Sequence, residues 1–217
     1  PHPRKFFNKD SEDFYLSDLK TKEHLLEMLG MECFVVLDFN KEMSERTPVE
    51  FIKEIIIEKI KPSSIVVGYD FRSGKNRAGG VEDLERICSE HNISVKVVEK
   101  QKKDESVLSS SNVRSLLQEG DFNEAEKMLG HKWLIKGQVI AGDKRGREIG
   151  FPTANLEVND FLKIKFGVYA VNVDIDGDLY NGIANYGIRP TFKGKKLLLE
   201  TYIFDFSKDI YGKAVSY

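Results

Sequence analysis

The sequence predicts two folds in tandem, an α/β region over residues 1–128 followed by an all-β antiparallel barrel over residues 129–217. Three observations carry this reading. Up to about residue 127, short apolar runs alternate with stretches of helical spacing. After Gly130 the helical spacing stops, and short strand-like runs with glycine-rich turns replace it. Asp176-Gly177 lies between two of those runs and is a strong hairpin signal.

In the first region, Thr21–Leu29 reads as a short helix closed by Gly30. Cys33–Leu37 is a short apolar run expected to form a buried strand. Thr47-Pro48-Val49-Glu50 has the form of a capping box with proline at the first helical position. Phe51, Ile52, Ile55, Ile56 and Ile60 follow at helical spacing. Ser64–Gly68 and Ile93–Val98 read as further buried strands, with a helix over Gly80–His91 between them. Strand, helix, strand with continuous apolar strands implies a parallel sheet covered on both faces. Helices are expected near Ser111–Gln118 and Asn123–Leu129. In the second region strands are expected at Ile135–Ile140, Val168–Ile175, Leu179–Asn185, Leu197–Phe206 and Lys213–Tyr217.

Bulk composition narrows the function. A chain of 217 residues suits two modest domains, and 41% hydrophobic residues suffice for real cores. The formal net charge is −2, whereas a nucleic-acid-binding domain is usually basic. Cys33 and Cys88 form no CxxC pair, so they read as reduced core residues rather than zinc ligands. No run of 18 apolar residues and no signal peptide is visible, which points to a cytoplasmic protein with no membrane partner. The chain begins at Pro1 and stops at Tyr217 inside a strand-like run, so it reads as a fragment at one or both ends.

The chemistry-bearing segment is Gly142-Asp143-Lys144-Arg145-Gly146-Arg147-Glu148-Ile149-Gly150-Phe151-Pro152-Thr153-Ala154-Asn155-Leu156. A glycine-rich loop lets successive backbone N–H groups turn inward and cradle phosphates. Lys144, Arg145 and Arg147 add cationic donors. Taken alone, the segment fits a solvated basic turn between strands equally well. Thr153 and Asn155 offer neutral oxygens of the kind Mg²⁺ accepts, yet they also fit a turn that Asn155 closes with its own side chain. Glu200 is the anomaly of the last strands. It interrupts the alternation Leu198, Tyr202, Phe204, Phe206 on one strand face. A buried carboxylate costs several kcal/mol without partners. Glu200 is therefore a candidate general base, half of a structural salt bridge, or a residue turned outward at a bulge.

Together these segments resemble the riboflavin kinase family. Its signature is a glycine-rich loop running into Gly-Phe-Pro-Thr-Ala-Asn-Leu, which residues 150–156 match letter for letter. Gly167-Val168-Tyr169-Ala170-Val171, Asn185–Phe192, Glu200–Phe206 and Asp209-Ile210-Tyr211-Gly212 match its later segments in order. The resemblance implies a small antiparallel barrel that phosphorylates riboflavin with ATP. Gly142, Lys144, Gly146, Arg147, Gly150, Pro152 and Thr153 would contact the nucleotide. Thr153 and Asn155 would bind Mg²⁺. Asn185, Arg189 and Thr191 would contact the flavin, and Glu200 would take the proton from the ribityl 5′-hydroxyl.

The first half resembles the partner domain of bacterial bifunctional enzymes, a Rossmann-like nucleotidyltransferase that adenylylates FMN to FAD. The carrying residues are Pro1-His2-Pro3, Gly68-Tyr69-Asp70-Phe71-Arg72-Ser73-Gly74 and Ser109-Ser110-Ser111-Asn112-Val113-Arg114. Gly68, Asp70, Phe71, Arg72, Gly74, Ser109, Ser110, Ser111 and Arg114 would line its nucleotide site. Gly68–Asn76 is not a P-loop, because it has one residue too many between glycines and Asn76 where Ser or Thr is needed. The family's N-terminal glycine–Phe-Asp-Gly loop, its first strand and its C-terminal helix have no counterpart in the sequence. Ser73 stands where an aromatic residue is usual. The expectation is a kinase whose adenylyltransferase activity is absent or very low in this chain. The alternatives are a non-catalytic flavin- or nucleotide-binding fragment and a barrel that binds single-stranded nucleic acid. Oligomeric state is not readable from the sequence.

Overall fold

The computed structural model describes residues 2–8, 14–103, 106–142, 152–158, 161–191 and 194–217. In chain order its helices begin with α1 (Pro3–Phe7), α2 (Leu19–Met28), α3 (Lys41–Glu45) and α4 (Pro48–Glu50), which runs on as a π-helix over Phe51–Ile60. Strand β1 (Ser64–Gly68), α5 (Val81–Ser89), β2 (Ser94–Val98) and the short pair β3 (Lys102–Lys103) and β4 (Ser106–Val107) follow. Then come α6 (Ser110–Glu119), α7 (Phe122–Leu129), β5 (Lys136–Gln138), β6 (Thr153–Glu157), β7 (Gly167–Ile175), β8 (Asp178–Thr191), β9 (Gly194–Ile203) and β10 (Ala214–Ser216). The chain divides into two compact units, Pro1–Ser11 with Val35–Leu108, and Glu12–Phe34 with Ser109–Tyr217.

In the first unit β1 and β2 pair in parallel, from Ser64 opposite Ser94 to Gly68 opposite Val98, as the apolar runs predict. Helix α5 places Leu84, Ile87 and Cys88 on one face, where they are buried with Ile52. Burial also pushes the Cys88 thiol above its ordinary pKa, as befits an inert core cysteine. The expected capping box is present. Thr47 Oγ1 accepts from the Glu50 N–H at 3.2 Å, and Glu50 Oε2 accepts from the Thr47 N–H at 2.7 Å.

Three expectations fail here. β1 and β2 are not buried strands: exposed and half-buried residues alternate along each, so the sheet is not covered on both faces. Residues 33–37 are not a strand; their backbone is irregular, and Val35 and Val36 are more than half exposed. A strand needs a neighbour to satisfy its N–H and C=O groups, and no described strand pairs with this run. The helical run Phe51–Ile60 forms, but in π rather than α geometry, and Lys61 N donates to Ile56 O at its end. The consecutive Ile55, Ile56 and Ile57 crowd the tighter turn through their branched Cβ atoms.

The second unit contains a six-stranded antiparallel sheet in the order β5-β10-β7-β8-β9-β6. Its outer strands come together at Ile140 and Asn155, where Ile140 N donates to Asn155 O at 2.8 Å, so the sheet nearly closes into the expected barrel. The β7–β8 hairpin turns at Asp176 and Gly177, both with positive φ, as a tight primed turn requires. Strand alternation sends Leu197, Leu199, Thr201 and Ile203 of β9 inward, with Ala184 and Tyr186 of β8 and Ala154 and Leu156 of β6. Helices α6 and α7 add Val113, Leu117 and Ala125 to the same core. Two side chains tie the Phe14–Leu16 segment to this unit. Trp133 Nε1 donates to Leu16 O at 2.8 Å, and Arg114 Nε donates to Phe14 O at 2.9 Å.

The strand bounds correct the sequence reading. β9 starts at Gly194 and ends at Ile203, because Asp205 takes a positive φ and turns Phe204 and Phe206 out of the strand. β8 runs to Thr191, well past Asn185. β6 replaces the turn that was one reading of Pro152-Thr153.

Candidate active site

Register builds the site. Asn155 on β6 lies opposite Glu200 on β9, and Glu200 lies opposite Asn185 on β8. Residues directly opposite in an antiparallel pair share a face. The three side chains therefore form one row across three adjacent strands on the outer face of the barrel. Thr153 lies in the next row with Tyr202 and Ile183.

Asn155 is only 2% exposed although it points outward. Its Nδ2 donates to Thr153 O at 3.3 Å, and its Oδ1 is buried without a hydrogen-bond partner among the described residues. Gly142 explains part of the cover: a Cβ there would stand 2.4 Å from Asn155 Nδ2. The glycine that opens the predicted phosphate loop is thus required by close approach to the predicted metal ligand. Lys144, Arg145, Gly146, Arg147 and Gly150 lie outside the described residues.

Glu200 is half-buried and not alone. Arg189 Nη1 donates to its Oε1 at 2.6 Å, with both side chains about one-quarter exposed. Arg189 sits four residues along β8 from Asn185 and directly opposite Lys196, which pairs instead with Glu157. Of the sequence readings of Glu200, the geometry shows the ion-paired carboxylate. Thr191 pairs with Gly194 at the far end of the β8–β9 ladder.

A cavity of about 130 Å³ lies beside Thr153. Val139, Pro152, Thr153, Ala154, Ile203 and the segment Phe206–Tyr211 line it. It is smaller than the roughly 300–1,000 Å³ of whole-ligand pockets. The segment is fixed in place. Asp209 Oδ1 accepts from the Tyr211 N–H, Gly212 N donates to Val139 O at 2.8 Å, and Gln138 Nε2 donates to Gly212 O at 2.7 Å. Sequence reasoning assigned no role to residues 206–211, although Asp209-Ile210-Tyr211-Gly212 matched a family segment.

The residues that the resemblance assigns to an adenylyltransferase site divide between the units. Gly68 ends β1, and Phe71 packs on the first unit's core. Arg72 donates to the adjacent Phe71 carbonyl at 3.2 Å. Gly74 has φ +71 and abuts Pro48 so closely that a Cβ would stand 2.3 Å from the proline nitrogen. In the second unit Ser109 caps α6, its Oγ accepting from Asn112 N at 3.2 Å. Arg114 donates to the Phe14 carbonyl and lies 5.6 Å over the Phe14 ring.

Comparison with known proteins agrees with this geometry. Residues 1–112 match the FAD synthetase family model, and residues 129–217 match the riboflavin kinase family model. The curated "Bifunctional riboflavin kinase/FMN adenylyltransferase" of Listeria monocytogenes is 37% identical over 216 residues, covering 98% of this chain and 68% of that protein. The chain belongs to the bifunctional riboflavin kinase/FMN adenylyltransferase family. The Bacillus subtilis member is also 37% identical, over 220 residues, and the Escherichia coli K12 member 32% over 216. The chain spans 69% of each. A solved structure described as a macrolide-efflux protein from Streptococcus pneumoniae superposes with a TM-score of 0.79 at 32% identity, over 94% of this chain and 66% of that one. That description aside, no helix among the described residues is long and apolar enough to cross a membrane.

Proposed function

We propose that the barrel phosphorylates riboflavin at its 5′-hydroxyl with ATP, giving FMN and ADP, and that residues 1–128 belong to the partner activity that joins FMN to AMP. The observation that carries the kinase reading is the row of Asn155, Glu200 and Asn185 on adjacent strands, which sets a buried, unpartnered oxygen beside a carboxylate. An orphaned buried polar atom costs about 1–3 kcal/mol, so the Asn155 oxygen is open to a ligand.

Mg²⁺ fits that oxygen. Amide and hydroxyl oxygens are hard ligands, and the ion is usually held by few protein groups together with substrate phosphates. Asn155 and Thr153 would hold it, and once bound it would neutralise charge on the phosphates of ATP. The cavity beside Thr153 takes part of the nucleotide, with Pro152 and the Phe206–Tyr211 segment as its walls. The exposed Val168 and Ile183 flank Asn185 and offer an apolar platform for the flavin. Asn185 and Thr191 border that platform on β8.

Glu200 accepts the proton of the 5′-hydroxyl as that oxygen attacks the γ-phosphorus. The new O–P bond forms while the β–γ bridging bond breaks, and its electron pair leaves on ADP. Phosphoryl transfer asks the protein mainly for alignment and charge stabilisation, which a rigid strand row supplies. The acidic balance of the chain favours small-molecule substrates over nucleic acid.

The test is to incubate the chain with riboflavin, ATP and Mg²⁺ and to separate flavins by chromatography with fluorescence detection. FMN that appears and then vanishes in Glu200→Gln supports the reading. No FMN from a folded chain that binds both substrates defeats it. FAD measured in the same run reports the partner activity.

A further inference from the structure

We propose that Arg189 is the positioning residue for the base Glu200, acting through the carboxylate rather than on the flavin. The inference rests on the kinase reading and deepens it.

The argument starts from the register. The direct partner of Arg189 across the ladder is Lys196, a like charge, and the direct partner of Glu200 is the neutral Asn185. Direct cross-strand pairing alone would therefore leave the carboxylate without a cation and set two cations face to face. The side chains sort themselves otherwise. Lys196 turns to Glu157 on β6, and Arg189 reaches back along the β8–β9 ladder to Glu200 Oε1 at 2.6 Å. The Lys196–Glu157 pair is the more exposed of the two, and the Arg189–Glu200 pair is half-buried. Water screens the first pair more than the second, so the second is the one that fixes a geometry.

A glutamate side chain rotates about three bonds, and a base must meet its proton within hydrogen-bond reach. A guanidinium has a rigid planar donor set, so a carboxylate held by it is held in direction as well as place. Arg189 engages Oε1, which leaves Oε2 as the oxygen to meet the hydroxyl. Among the described residues, no hydrogen bond holds Oε2. Asn155 stands opposite on the other flank, one strand away. The base candidate is thus bracketed by a fixed donor and by the candidate metal ligand.

The experiment is a steady-state comparison of the chain with Arg189→Gln, Arg189→Lys, Glu200→Gln and the Arg189→Gln/Glu200→Gln double variant, alongside riboflavin affinity from quenching of flavin fluorescence. Arg189→Gln is expected to lower kcat for FMN formation about 100-fold, the effect of a reacting group misplaced by about an ångström. Its riboflavin Kd and KM are expected to stay within about twofold of the parent, since no substrate contact is lost. Arg189→Lys should recover part of kcat, and the double variant should be no slower than Glu200→Gln alone. An unchanged kcat with weakened riboflavin binding in Arg189→Gln would make Arg189 a flavin contact and overturn the proposal. Multiplying effects in the double variant would overturn it as well. Parent chain that makes no FMN defeats the kinase reading itself, and this assignment with it, whereas active parent with an unaffected Arg189→Gln defeats this assignment alone.

Discussion

The two compact units differ in how their strands are held. In the first unit β1 and β2 pair only with each other among the described residues, so each keeps an unpaired edge, and Val66 is 63% exposed. In the second unit β9 is hydrogen-bonded on both sides, and the sheet nearly returns on itself through Ile140 and Asn155. A strand fixed on both flanks cannot slip, and its side chains are placed to within a fraction of an ångström. A two-stranded sheet offers a support, and the residues expected at the nucleotide site, Asp70–Gly74, sit on the loop beyond it. Chemistry that depends on strand register therefore belongs to the barrel.

The sharpest way to break that contrast is Glu200→Gln. It should lower FMN formation by about 10²–10⁴-fold, the range for loss of a general base, with no fall in Tm. A residual rate near that of the parent would remove Glu200 from the chemistry. Next are matched cavities in the two cores. Leu156→Ala in the barrel and Ile52→Ala in the first unit each delete a fully buried side chain, at about 2–5 kcal/mol apiece. Chemical denaturation should show both losses. FMN formation at 25 °C should fall in Leu156→Ala and survive in Ile52→Ala; equal losses of activity would mean that the units do not stand apart.

A smaller effect lies at high pH. Burial pushes the Tyr217 hydroxyl up to about 12. The folded value exceeds the unfolded one, near 10, so the contribution to stability is whole below about pH 10 and is lost as pH rises towards 12. At most about 2–3 kcal/mol is involved. Thermal melts between pH 9 and 12 should show the parent losing more than Tyr217→Phe; parallel curves would deny the burial its role. Smallest is Gly142→Ala, whose Cβ would meet Asn155 Nδ2 at 2.4 Å. The amide has to shift by about an ångström, so turnover should drop about tenfold or more while Tm barely moves.

Much of this was legible in the sequence. The Thr47 capping box, helices α5, α6 and α7, and the Asp176-Gly177 hairpin are local features, and local chemistry writes them. Parallel pairing of β1 and β2 followed from the order strand, helix, strand. What was not legible depends on distant partners. Residues 33–37 have the composition of a strand and no described neighbour to pair with. β6 is five residues long, begins after a proline and carries Thr153 and Asn155, so on pattern alone it also read as a turn. The Arg189–Glu200 pair joins residues that neither helical nor strand periodicity links; only the β8–β9 register brings them together. Glu200 stood out as a carboxylate in an apolar alternation, and the structure adds that its face is the outer one, with Leu197, Leu199, Thr201 and Ile203 filling the inside.

The row across β6, β9 and β8 also acts as a ruler. Neighbouring strands stand about 4.8 Å apart whatever side chains they carry. The interval between Asn155 and Glu200 is thus written in backbone hydrogen bonds, not in the packing of any particular side chain. Substitutions that keep the ladder leave that interval untouched, so the surrounding sequence is free to drift. A shift of one residue along β9 would turn Glu200 inside out and put Thr201 in its place. The spacing of the reacting groups is inherited with the pairing of the strands.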